Sequence, residues 1–261
     1  MISPSTPALS ANSLFHFTAS LGNLLNILKN EFRPRFCLES FDLLSGSESE
    51  QQIYEWAVPM VCFCDLPLSQ TGFHLSVYGD YGIGLTKEWG KRNGIAPVLY
   101  AYPRSILTLK LEVMLHRTDA DESSEGSGSA WSSDFYDLLS FVKPYEGDLW
   151  REGRVISNLR FYNEREWRFV PQLEKGDPTR WGISKDQFLD EEQRRQANNK
   201  LAKASRIEFE PNDIKYLIVR REDEIVPLIR EVESIKGKYG YDDVRLLASR
   251  VISAEQIRSD F

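Results

Sequence analysis

The sequence predicts one α+β domain built on an antiparallel or mixed sheet, and three observations predict it. Strand-patterned runs alternate with helix-patterned runs along the whole of its 261 residues. Apolar side chains occupy 41% of positions, enough to fill one good core. Neither an internal repeat nor a linker divides the chain, so residues 1–261 are read as a single domain.

Residues 1–12 are polar and Ser-rich and form an N-terminal tail without the basic start and apolar run of a signal peptide. Residues 13–18 read as a strand. Ser20 then caps a helix in which Leu21, Leu24, Leu25 and Leu28 recur at helical spacing until Pro34. Residues 45–52 are a polar loop, and 58–64 form a β-rich run closed by Asp65 and Pro67. A short helix or turn is expected over 74–81, a strand over 81–86, a helical turn over 87–93 closed by Gly94, and a strand over 98–100. Residues 119–134, acidic and rich in Ser and Gly, are expected to be a flexible insertion loop. After them come a helix over 135–142, a strand, turn and strand over 158–170, and a charged helix over 184–205. A strand over 214–219, a helix over 222–235 and a last element over 244–251 complete the chain.

Thirty-nine acidic residues against 32 basic ones give a net charge of −7, which disfavours adhesion to nucleic acid over the whole surface but leaves room for a local basic groove. No run approaches the length of a membrane span, and a cytoplasmic protein is expected. Cys37, Cys62 and Cys64 are too few for a disulfide framework, and with His74 and His116 they lack metal-ligand spacing, so no metal is expected. The glycines at 79, 82 and 84 match neither a P-loop nor a dinucleotide fingerprint.

Three segments place polar groups among residues that otherwise read as core: Phe15-His-Phe-Thr18, Tyr78-Gly-Asp-Tyr-Gly-Ile-Gly84 and Tyr162-Asn-Glu-Arg-Glu-Trp-Arg168. Together they resemble the ADP-ribosyltransferase fold, in which a His on the first strand, a Tyr near the next core strand and a late Glu meet in an NAD cleft between split sheets. The opening, with its Leu-rich helix, is similar to the start of DNA-modifying ADP-ribosyltransferase toxins. Over residues 14–100 the chain also resembles the AbiGi family of abortive phage-resistance proteins, described as the antitoxin of a phage-defence operon. That resemblance rests on Val58-Pro-Met-Val-Cys-Phe-Cys-Asp-Leu-Pro-Leu-Ser69, on His74 with Tyr78-Gly-Asp-Tyr-Gly-Ile-Gly-Leu-Thr-Lys-Glu-Trp89, and on Asn93-Gly-Ile-Ala-Pro-Val-Leu-Tyr100, extended by Glu164-Arg-Glu-Trp-Arg168.

The transferase resemblance implies NAD as co-substrate and assigns roles to these residues. Breaking the nicotinamide glycosidic bond builds positive charge on the ribose, so Glu166 is expected to stabilise that charge and Glu164, on the same face of a strand, to orient or deprotonate the acceptor. Tyr78 and Tyr81, with Gly79 allowing close approach, would sandwich the nicotinamide ring. His16, Phe17 and Thr18 would complete the cofactor site, His16 by hydrogen bonding a ribose hydroxyl. Arg165, Trp167 and Arg168, with Arg151, Arg154, Arg160, Lys29, Arg33 and Arg35, would hold a single-stranded RNA or DNA acceptor, Trp167 or Phe32 serving as a stacking platform. The arginines could instead serve the NAD pyrophosphate, leaving a protein as acceptor.

Each motif also has a plain structural reading. His16 between two phenylalanines suits a satisfied core histidine, the tyrosines suit packing, and the Glu-Arg-Glu-Trp-Arg run suits an ion-pair ladder. Two functions therefore stand open: an ADP-ribosyltransferase effector restrained by a cognate antitoxin, and an inactive antitoxin that binds a co-encoded toxin.

Overall fold

A computed structural model describes residues 10–41, 54–123, 130–151, 154–174 and 176–260. In chain order the elements are β1 (Ser13–Thr18), α1 (Leu21–Asn30), β2 (Arg35–Ser40), β3 (Glu55–Cys64), α2 (Gly72–Tyr78), β4 (Tyr81–Thr86), α3 (Lys87–Arg92), β5 (Ala96–Pro97) and β6 (Leu99–Ala101). There follow α4 (Ile106–Ser123), α5 (Ala130–Leu139), β7 (Val142–Pro144), β8 (Gly147–Arg151), β9 (Arg154–Leu159), β10 (Glu166–Phe169), β11 (Ile183–Ser184), α6 (Lys185–Leu189) and α7 (Glu191–Ala204). The chain ends with β12 (Ile214–Val219), α8 (Ile225–Lys236), α9 (Tyr241–Ala248), β13 (Val251–Ser253) and α10 (Ala254–Asp260).

Alternation in β1 shows how the sheet separates two interiors. Leu14 belongs to a core that also holds Leu24 and Leu28 of α1, Ile83 and Leu85 of β4, Trp89, and Leu228 and Val232 of α8. Phe15 and Phe17 face the other way, into a core with Leu66, Leu75, Ile218 and Ile257. Glycine is required beneath those rings: a Cβ at Gly84 would stand 2.6 Å from the Phe15 ring, and one at Gly82 3.0 Å from Phe17. Helix α1 starts where the Ser20 hydroxyl accepts from the Asn23 amide at 3.2 Å.

The main sheet runs β13-β12-β4-β1-β3-β10-β5, with β2 and β11 on β3 as well. Only β12 and β13 are parallel within it. It has a seam. β1 pairs with β4 through six residues, from Ser13 opposite Thr86 to Thr18 opposite Tyr81, but its backbone ladder with β3 is the single pair of Phe15 opposite Cys64. Beyond the seam, β3 and β2 carry a third core of Phe41, Val58 and Met60 against α4 and α5 (Leu111, Leu115, Phe135, Leu139).

Several expectations change. The 119–134 segment is not one flexible loop: α4 continues to Ser123 and α5 begins at Ala130, leaving 124–129 outside the described residues. The tail is tied down from Ser10, whose hydroxyl reaches Asp65 at 2.8 Å, while 1–9 and the 45–52 loop lie outside the described residues. The strand, turn and strand expected over 158–170 are present with shifted bounds, as β9 to Leu159, a 3-10 turn at Phe161–Glu164 and β10 at Glu166–Phe169, but the two strands pair with different partners, β9 with β8 and β10 with β3. The charged helix breaks at Asp190, whose carboxylate caps α7 by accepting from the Glu192 and Gln193 amides. The 244–251 element is the helix α9 followed by β13.

Candidate functional site

The late motif is bent into place by Arg165, which adopts a left-handed conformation (φ 48°) between the 3-10 turn and β10. Glu164 and Glu166 therefore do not sit on one strand as neighbours two apart, yet both carboxylates converge on Lys143 of β7. Its ammonium donates to Glu164 Oε2 at 2.8 Å and to Glu166 Oε2 at 2.5 Å. The Tyr78 hydroxyl donates to Glu164 Oε1 at 2.6 Å. On the far side Arg168 Nε donates to Glu166 Oε1 at 2.6 Å, Nη1 to the Ser140 carbonyl at 2.9 Å and Nη2 to Glu39 at 2.9 Å. The Glu166 amide donates to the Tyr100 hydroxyl at 2.9 Å.

This network is buried. Glu164 and Glu166 are about one-twentieth exposed, and Arg168 is fully enclosed. Burial pushes the Glu166 carboxyl up, but Arg168 and then Lys143 outweigh it and hold the group well below the usual carboxylate range. Burial likewise works against the Lys143 charge, and Glu166 and Glu164 reverse it, so the ammonium titrates above its ordinary value. The phenols of Tyr78 and Tyr100 are raised chiefly by burial. Glu166 is thus a fixed anion with an oxygen on each of two cations; it is built to balance charge inside the fold.

The residues expected around it are dispersed. Phe15 stands opposite Cys64, and Cys64 opposite Glu166, so these three share a face and His16 points to the other. There His16 Nδ1 lies 2.8 Å from the Cys62 carbonyl, with the rings of Phe32 and Phe63 at 5.3 and 5.8 Å. Thr18 takes the His16 face and pairs with Tyr81, whose hydroxyl donates to Glu224 at 3.0 Å beneath Arg220. The expected Tyr78–Tyr81 sandwich is not formed: Tyr78 packs on the Phe15 and Phe17 side, Tyr81 in the core of α1 and α8. Gly79 (φ 116°) serves chain packing, since a Cβ there would stand 2.4 Å from the Thr18 carbonyl oxygen. Phe17 stacks on Phe15, with ring centroids 6.0 Å apart.

The proposed acceptor groove also separates. Arg168 is enclosed, Trp167 packs against the core opposite Glu166 with Lys87 over its ring, and Arg165 lies 4.7 Å over the Tyr162 ring. Arg160 lies over Tyr145, and Arg33 donates to the Ala202 carbonyl at the end of α7, against which region Phe32 pairs with Ile207. The side chains of Arg151 and Arg154 are outside the described residues.

Lys143, Tyr100 and Glu39 were not expected in the network. A lone Lys before Pro in an apolar strand, Val142-Lys-Pro144, is the signal that points to Lys143. His74, one turn before Tyr78, is buried, and its Nδ1 is without a hydrogen-bond partner among the described residues; burial holds the imidazole below its usual pKa although Glu164 opposes this. Among the described residues, no group of three or more His, Cys, Asp or Glu is arranged to hold a metal, and no helix is long and apolar enough to cross a membrane.

The sequence profile of a family described as "Putative abortive phage resistance protein AbiGi, antitoxin" matches residues 30–220. The chain is similar, at 27% identity over 250 residues, to the abortive phage resistance protein AbiGi of Lactococcus lactis subsp. cremoris, covering 88% of this chain and 99% of the relative. No solved structure matches it.

Proposed function

We propose that this chain, which belongs to the AbiGi family of abortive phage resistance proteins, works in that defence as a binding protein that neutralises a co-encoded toxin. The observation that carries this reading is the closure of the Glu164–Lys143–Glu166–Arg168 network. Both oxygens of Glu166 are held by cations, and His16 lies across the sheet from it. A carboxylate in an apolar interior is costly unless paired, so the acidic motif has a sufficient reason to exist in Arg168 and Lys143 without a substrate. The antitoxin description of the family accords with that reading.

The second reading is an NAD-dependent ADP-ribosyltransferase acting on a single-stranded nucleic acid or a protein, and one observation favours it. The Nδ1 of His74, without a hydrogen-bond partner among the described residues, is buried next to the Tyr78–Glu164 pair, where it is left to meet a ligand. Its chemistry would break the ribose–nicotinamide bond and join the ribose carbon to an acceptor oxygen or nitrogen, releasing nicotinamide and the acceptor's proton.

Growth and turnover assays separate the two. Cells expressing the chain alone should grow normally, cells expressing the neighbouring toxin gene alone should arrest, and the pair should grow and yield a co-purifying complex. Purified chain given NAD with RNA, single-stranded DNA or lysate should release no nicotinamide. Arrest by the chain alone, with nicotinamide release abolished in Glu164→Gln, would overturn the binding reading in favour of the transferase.

A further inference from the structure

Four tyrosines that belong to none of the apolar cores meet at one surface. Tyr100 lies in β6 and Tyr102 just beyond it, Tyr145 follows β7, and Tyr162 stands in the 3-10 turn before Arg165. The main chain sets them together: the Tyr145 amide donates to the Ala101 carbonyl at 2.8 Å, and the Tyr162 amide to the Tyr145 carbonyl at 3.1 Å. The rings of Tyr145 and Tyr162 stack, with centroids 5.3 Å apart and planes 25° from parallel. Tyr102 stands edge-on to Tyr145 at 5.9 Å, and Tyr100 edge-on to Tyr162 at 5.3 Å. Tyr102 and Tyr162 are 56% and 37% exposed, so ring surface is left for another molecule.

Two cations lie on these rings. The Arg160 guanidinium is 5.8 Å from the centre of Tyr145, and that of Arg165 4.7 Å from the centre of Tyr162. Arg92, Arg168 and Arg180 are each paired with an acid, whereas neither Arg160 nor Arg165 has a carboxylate partner among the described residues. A guanidinium held by a ring keeps its N–H donors for another acceptor. Of the described acids on the same stretch of chain, Glu146 meets the Tyr102 hydroxyl at 3.5 Å, Asp148 accepts from the Asn158 amide at 2.9 Å, and Glu164 is buried with Lys143 and Tyr78.

We propose that this tyrosine–arginine ladder binds a single-stranded nucleic acid, with bases on the exposed Tyr102 and Tyr162 rings and phosphates on Arg160 and Arg165. Each nucleotide brings one flat base and one negative phosphate, which rings and cations side by side accept together. An acidic peptide would use the cations and leave the rings idle, an apolar peptide would do the reverse, and a duplex keeps its base faces stacked inside. The net charge of −7 disfavours phosphate elsewhere and confines the strand to this patch. The inference needs neither a toxin contact nor NAD and so stands apart from both readings above.

The test is fluorescence anisotropy of the full chain with a labelled dodecamer of mixed sequence, as RNA, as DNA and as the duplex of each. Wild type should bind a single strand at least tenfold more tightly than its duplex, and the tighter single strand names the sugar. The logarithm of its affinity should fall against that of salt with a slope of about −1.4, the value for two phosphates. Arg160→Glu with Arg165→Asn, Asn being tolerant of the left-handed backbone at 165, should lose tenfold or more and flatten that slope. Tyr102→Leu with Tyr162→Leu keeps bulk without a π-face and should lose as much; Tyr102→Phe with Tyr162→Phe should bind as wild type. Tyr102→Leu alone, at the more exposed ring, should lose severalfold and reads the stacking even if the double leucine variant unfolds. Absence of single-strand binding by wild type, equal affinity for the duplex, or wild-type affinity in the charge and leucine variants would each overturn the proposal. Loss of the co-purifying neighbouring gene product in the charge variant, with no RNA or DNA bound by wild type, would assign the ladder to a protein partner instead.

Discussion

The two halves of the sheet are stabilised by different physics. On the β4–β1–β12 side, Leu14, Leu24, Leu28, Ile83, Leu85 and Trp89 make an apolar interior that continues beneath β3 through Val61 and Phe63, and its polar additions include the Tyr81 hydroxyl, the His16 ring and Lys236, buried over the Phe209 ring. On the β3–β10 side, the interior contains a lysine, an arginine and three carboxylates within direct contact of one another. The first side is sensitive chiefly to the volume and apolarity of its side chains, whereas the second requires every partner at once, because an unpaired buried charge costs far more than a lost methylene. Conservative chemistry should therefore be harmless in one half and damaging in the other.

Arg168→Met should break the comparison most severely. It strips the Nε and Nη bonds from Glu166 and Glu39 and should destabilise the protein by about 3–5 kcal/mol, read from urea unfolding. Pairing it with Glu166→Gln should recover part of that loss, and a single variant as stable as wild type would remove the network from the stability account. Leu28→Ala, on the apolar side, should cost about 3 kcal/mol through its cavity, with no change in the pH dependence of unfolding.

Acid should sharpen the contrast further. The Glu166 pKa is lower folded than unfolded, so its contribution is present above the unfolded value of about 4.3 and is lost as pH falls through the folded value. The Lys143 pKa is raised, so its contribution is present below about 10.4 and lost as pH rises through the folded value. Wild type should lose stability steeply below about pH 4, and Glu166→Gln should flatten that acid limb in a pH series of melting temperatures.

The smallest effect is expected at His74. Its folded pKa is depressed, so a fraction of stability present above about pH 6.5 is lost as pH falls towards the folded value. His74→Leu removes the buried Nδ1 and should change stability at neutral pH by less than about 1 kcal/mol while erasing the slope that sets in below about pH 6.5. A slope that persists in this variant would assign the titration elsewhere.

The apolar half was also the legible half. The strands at 81–86 and 214–219 occur with the expected bounds, and α1 begins at its Ser20 cap, because alternation, helical spacing and capping are local signals. Beyond the seam local signals thin out. Strand β2, Arg35-Phe-Cys-Leu-Glu-Ser40, mixes residue types because one of its side chains, Glu39, serves Arg168 far along the chain. Helix α4 hides its period by being apolar on two sides.

At the site, the sequence pointed to Glu164, Glu166 and Tyr78, and the structure does gather these three. It failed for His16 and Tyr81 because proximity across a sheet depends on parity. The Phe15–Cys64–Glu166 register places His16 on the opposite face, and no single-residue property carries that information. It failed in detail for the Glu pair because one left-handed residue, Arg165, suspends the rule that positions two apart share a face.

The seam also bears on how the chain is made. β1 lies on one side of it, β2 and β3 on the other, β4 back with β1, β5, β10 and β11 across again, and β12 and β13 return to the first side. As the polypeptide leaves the ribosome, the strand at 13–18 waits for its partner at 81–86, and that pair stays an open edge until residues 214–219 emerge. Neither half can be expressed as a contiguous fragment. Pairings of such long sequence separation close slowly, so the nascent chain spends most of its synthesis with an unprotected sheet edge.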